Sequence, residues 1–141
     1  MRRSRTAALV TWAYSAMFGL PAVPVAIFVA REGRLPSLWG LFDVYAGPWS
    51  SRIADNRLIG LLLAYSVLVL AVAVSGRLLW RTRRAGAVLN LGLLPAEAVF
   101  WIGFALPGPW LFGIARVVLA CLAWRELTGS RLRTRRRPPS T

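Results

Sequence analysis

Apolar residues in this chain come in four blocks, each long enough to cross a bilayer as a helix. They run from about Thr6 to Ala30, Leu58 to Trp80, Ala85 to Leu106 and Pro109 to about Leu127, against a requirement of about 20 mostly apolar residues. The pattern predicts an all-α polytopic membrane protein: four transmembrane helices within residues 1–129, then a disordered Arg-rich tail over 130–141. No separate soluble domain is expected. The longest connection, Arg31 to Arg57, is a loop, and the tail has almost nothing apolar to bury.

Breaks within the pattern refine it. Pro21 and Pro24 fall in the outer half of the first block and should kink or loosen that helix. Pro107-Gly108-Pro109 separates the third and fourth blocks so briefly that their helices must lie antiparallel and adjacent. In the long loop, Ser37 is placed to cap a short interfacial helix through about Tyr45, with Leu38, Trp39, Leu41 and Phe42 toward the headgroups. Gly47-Pro48-Trp49 then makes a turn. That loop reads as an anchor over the outer mouth of the bundle, or as a lid. Arg2, Arg3 and Arg5 ahead of the first block resemble the start of a signal peptide. The block is longer than an h-region of about 7–15 residues, however, and no small-x-small site closes it, so a span is expected instead.

Composition agrees with the pattern and narrows the chemistry. Of 141 residues 57% are hydrophobic and 16% charged, and the mean hydropathy is +0.55, which together mark an integral membrane protein. Every basic residue is Arg, as high-GC coding would give. One cysteine, Cys121, and no histidine leave no intramolecular disulfide, zinc spacing or haem-attachment motif. No cofactor, metal site or catalytic set is expected. The acids of the long loop, Glu32, Asp43 and Asp55, are too scattered to suggest a cation site.

Charge gives an orientation. Arg2, Arg3, Arg5, Arg77, Arg81, Arg83, Arg84, Arg125 and the tail arginines would share one side, whereas Arg31, Arg34, Arg52 and Arg57 face the other and are opposed by acids. The positive-inside rule then puts both termini of a multi-pass, bacterial cell-membrane protein in the cytoplasm. Trp80 and Trp124 near the inner interface, and Trp39, Trp49 and Trp110 near the outer one, fit that placement. Tail residues Arg131, Arg133, Arg135, Arg136 and Arg137 suit anionic lipid at about 1 kcal/mol each. Nucleic acid is not expected as a partner, because the tail has neither stacking aromatics nor a folded reader.

Two charges inside apolar blocks carry the candidate chemistry. Glu97 lies nine residues before Leu106 and Arg116 seven beyond Pro109, depths of roughly 13.5 and 10.5 Å at about 1.5 Å per residue, so the two are positioned to pair. A lone charge in hydrocarbon costs roughly 2.5–3.5 kcal/mol on insertion scales, and a depth-matched opposite charge answers it. Asn90, two turns before Glu97, shares its helix face, with Gly86 and Gly103 on or near it. Pro95 should free a carbonyl near residue 91 and open a polar pocket, and Gly92 with Ala96 should allow close helix approach. Tyr14, Ser15, Tyr65 and Ser66 are the remaining polar candidates. Glu97–Arg116 reads either as a static interhelical lock or as a functional site.

The stretches Pro95-Ala-Glu-Ala-Val-Phe-Trp101, Leu106-Pro-Gly-Pro109 and Tyr45-Ala-Gly-Pro-Trp49 resemble the small four-helix membrane proteins of high-GC actinobacteria. The plan is similar to DoxX-like proteins in helix count and termini. Small multidrug-resistance transporters share the count, but their functional glutamate is in the first helix, which has no acid here. The resemblance implies no site residues. The expected function is non-enzymatic, a structural or accessory membrane subunit, with a homo-oligomer or a partner membrane protein alongside the bilayer. The other reading is a small transporter or proton-coupled permease using Glu97.

Overall fold

The computed structural model describes residues 3–38, 41–106 and 108–134, with the side chains of 38, 42 and 128–134 excepted. The first apolar block forms α1 (Arg3–Tyr14), a π-helical stretch (Ser15–Gly19) and α2 (Ala22–Glu32). The interruption follows from Pro21. Its ring excludes the carbonyl one turn back and it has no N–H to give, so the preceding turn widens and α2 restarts with Pro21 at its N-cap. Pro24 lies within the first turn of α2, where a missing donor costs little.

The remaining helices are α3 (Asp55–Trp80), α4 (Arg84–Gly103) and α5 (Pro109–Thr134). Three helical runs, Arg3–Glu32, Asp55–Trp80 and Arg84–Gly103, are long and apolar enough to cross a membrane. α5 is not among them: Arg116 interrupts its apolar run, and Arg125 and Glu126 end it. α5 extends to Thr134, so the boundary expected after Gly129 falls inside the helix; residues 135–141 lie outside the described residues. Arg is a good helix former and its charge suits the negative end of the helix dipole, which accounts for the extension.

α3 packs on α1, α2 and α4, while α5 packs on α1 and α4. Ser4 of α1 meets Glu126 of α5, and Arg5 lies over Trp80 of α3, so the chain's N-terminal region and the ends of α3 and α5 share one end, the terminal end. The long loop and the α4–α5 turn share the other, where the Trp49 N–H donates to the Gly103 carbonyl. Polarity is inverted relative to a protein in water. Met17, Leu20, Val67, Leu70, Leu111 and Ile114 face outward, and Ser4, Thr11, Ser75, Asn90, Glu97 and Arg116 are buried, an arrangement that suits hydrocarbon outside.

Both tight turns close in the same way. At the end of α3, Arg83 N–H bonds the Leu78 carbonyl and Thr82 N–H that of Leu79; at the end of α4, Leu106 bonds Trp101 and Ala105 bonds Ile102. These are Schellman closures, and their left-handed residue is usually glycine. Here it is Thr82 (φ 53°) and Ala105 (φ 48°). α2 ends on a glycine, Gly33, with φ 64°.

The interfacial helix expected over Ser37–Tyr45 does not form. Ser37–Leu38 (β1) pairs antiparallel with Phe42–Asp43 (β2), and the Val44 N–H reaches the Pro36 carbonyl at 2.9 Å. Trp39 lies outside the described residues. The hairpin delivers Tyr45, in left-handed conformation at φ 61°, into the core edge-on to Tyr65 and Phe104. Its hydroxyl donates to the Phe18 carbonyl in the π-helical stretch. Burial, with Tyr65 nearby, raises the Tyr45 phenol above its ordinary value and keeps it a donor. The expected turn at Gly47-Pro48-Trp49 is present. Trp49 lies where a Cβ on Gly103 would stand, closing the loop end.

Candidate functional site: a buried ion pair in a polar column

α4 buries Gly86, Asn90, Glu97, Trp101 and Gly103 on one face, the face anticipated from the Asn90–Glu97 spacing. Gly92 and Ala96 point the other way. Gly92 has open space beside it, so the close approach expected of that pair does not occur within this chain. The helix passes through Pro95 without a break, and the cavity beside it, about 370 Å³ and shared with Leu94, Trp101, Trp110 and Gly113, is lined by apolar side chains. The polar pocket expected at Pro95 is therefore an apolar one, because the prolyl ring faces away from Asn90 and Glu97.

The α4–α5 turn brings Arg116 onto Glu97. One nitrogen, Nη2, donates to both carboxylate oxygens at 2.8 Å each, and the residues are 1% and 0% exposed. Tyr14 of α1 stands over the guanidinium with its ring centroid 4.4 Å from Cζ, a stacked cation worth about 2 kcal/mol when desolvated. The Tyr14 oxygen accepts from Trp101 Nε1 at 2.9 Å and shares a hydrogen bond with the Tyr65 hydroxyl at 3.2 Å. Phe18 and Phe112 pack around the Tyr14 ring. Four helices thus meet at one pair of charges. Arg116 Nε and Nη1, both buried, have no hydrogen-bond partner among the described residues.

One turn away along α1 is a second buried cluster. Asn90 Nδ2 donates to Ser75 Oγ at 2.8 Å and to Thr11 Oγ1 at 3.2 Å. Those hydroxyls spend their own protons on the carbonyls of Val72 and Ala7, which leaves their oxygens free to accept. Asn90 Oδ1 is buried and has no partner among the described residues. At the terminal end, Glu126 accepts from the backbone N–H groups of Arg3 and Ser4 at 3.3 Å each, placing a carboxylate at the positive end of α1.

Of the residues marked from sequence, Glu97, Arg116, Asn90, Tyr14 and Tyr65 come together in this column. Ser15 and Ser66 do not. Each donates to a carbonyl of its own helix, and both line a groove of about 720 Å³ that opens sideways between α1–α2 and α3. Ser15 directly follows Tyr14, about 100° round the helix, so its side chain shares the groove face with Trp12 and Ala16. Trp101, Thr11, Ser75 and Glu126 were missed. The signal for Trp101 was its place four residues after Glu97, and for Thr11 its place three before Tyr14.

Asp43 and Asp55 border a small outer recess with Arg34 and Ser50 and are exposed. No group of three or more His, Cys, Asp or Glu side chains gathers among the described residues. Comparison with protein families, with curated proteins and with solved structures finds no match to this chain.

Proposed function

We propose that the protein is a non-enzymatic integral membrane component, crossing the cell membrane four times with both termini cytoplasmic and serving as a structural or accessory subunit. The observation that carries this reading is the Glu97–Arg116 contact: direct, buried, and roofed by Tyr14. Arg116 is the one of the three charges within 109–126 that lies mid-helix, and a bonded carboxylate lowers its cost there. α5 then serves as the fourth span. The arginines at the terminal end, continued by Arg131, Arg133, Arg135, Arg136 and Arg137, hold that end at an anionic cytoplasmic leaflet.

A component of this kind acts through the faces it shows to other membrane proteins or to further copies of itself, and the pair's task is to keep those faces in register. The combined variant Glu97→Gln, Arg116→Met is therefore expected to insert, fold and co-purify with the same membrane partners as the parent. If it folds but loses its cellular role, the pair does more than hold helices. The second reading, a small proton-coupled permease working through Glu97, would then lead; the unpaired Arg116 nitrogens favour it.

A further inference from the structure

The buried side-chain polar atoms that lack a protein partner among the described residues are Ser4 Oγ, Asn90 Oδ1, and Arg116 Nε and Nη1. They are distributed unevenly. All lie at the level of the ion pair or between it and the terminal end. On the loop side of the pair, the Tyr14, Tyr65 and Tyr45 hydroxyls and Trp101 Nε1 are all bonded. We propose that water enters the helix assembly from the terminal end, occupies the polar column as far as Arg116, and is stopped there by the aromatic layer.

Energetics require some occupant. A buried donor or acceptor left unmade costs about 1–3 kcal/mol, and ordered water, with about three hydrogen bonds each, is how interiors usually meet such groups. Glu97 sits head-on at Nη2, so both flanks of the guanidinium still present N–H groups. Asn90 Oδ1 offers the complementary acceptor, and Thr11, which holds Asn90, is three residues from Tyr14, which holds Arg116. That is one helical turn, about 4.5 Å of rise. Water in this interval finds both donors and acceptors. An anion would not suit it, since a second negative charge would lie beside the Glu97 carboxylate.

The walls differ in the same sense. Between Ser4 and Asn90 the packing joins the alanines Ala7, Ala8, Ala87, Ala120 and Ala123 to Leu79 and Leu127, with no aromatic ring in the cluster. Beyond Arg116 stand Phe18, Tyr65, Trp101 and Phe104. Glu97 would accordingly exchange its proton with the phase at the terminal end and not with the one at the loop end. The ligands of this site are water and the proton.

The inference rests on the membrane reading, and solid-state NMR of the full chain in liposomes tests the two separately. Magnetisation from the acyl chains should reach the outward Val67 and Leu111; if it does not, the membrane reading fails. With that contact established, magnetisation from water should build up at Arg116 Nε and the Asn90 side-chain amide several-fold faster than at Trp101 Nε1. Equal rates at the three sites, fast or slow, overturn one-sided hydration. Asn90→Leu should slow build-up at Arg116 several-fold while leaving Trp101 unchanged, and an undiminished Arg116 signal would show that water does not pass by way of Asn90.

Discussion

Tyr14 gives its ring to Arg116 and its hydroxyl to Trp101 and Tyr65, and mutation can separate the two. Tyr14→Phe keeps the ring but strands the Trp101 N–H and the Tyr65 hydroxyl, and should destabilise the protein by about 1–3 kcal/mol. Tyr14→Leu also removes the face over the guanidinium and should cost clearly more. Unfolding in mild detergent measures both, and equal losses would mean that the ring contact contributes nothing. Much of this site was legible residue by residue. Glu97, Arg116 and Asn90 stand out because polar side chains in an apolar block need partners, and counting residues from the turn matched the depths of the charges. What could not be read was rotation about the helix axis. Thr11 and Ser15 look equivalent in sequence, yet one is buried against Asn90 and the other lines the groove.

Helices and their breaks were legible to different degrees. Four apolar blocks became α1–α2, α3, α4 and α5, and Pro21 loosened the first, whereas Pro24 is absorbed in the first turn of α2. The long loop was misread: an amphipathic pattern over nine residues fits a helix and a hairpin alike, and the Val44 N–H closing on the Pro36 carbonyl completes the hairpin. The turns between α3, α4 and α5 hold an opportunity for stabilisation. Thr82 and Ala105 occupy left-handed positions that cost an L-residue roughly 1–2 kcal/mol. Thr82→Gly and Ala105→Gly should each raise the melting temperature in detergent, with Thr82 gaining more because a β-branched side chain is the least suited to positive φ. A lowered melting temperature for both would show that the side chains offset the strain through contacts. In contrast, Gly103→Ala should be strongly destabilising, since its Cβ would stand in the Trp49 ring.

The whole molecule combines an inverted polarity, apolar outside and charged within, with an asymmetric spread of arginine. The proposed topology makes a simple demand: a reporter active only outside the cytoplasm should give signal when fused near Ser50 and none at Thr141. Signal at both would leave α5 uncrossed or reversed. Glu97 and Arg116 answer each other's charge and thereby hold α4 to α5 beneath Tyr14 of α1. A double-mutant cycle measures this directly. Glu97→Gln or Arg116→Met alone should cost about 3–5 kcal/mol, because each strands a buried group, and the two together should lose less than either alone, giving a coupling of at least about 3 kcal/mol, at or above the top of the usual range. Single and double variants whose losses simply add, with a coupling near zero, would contradict the account.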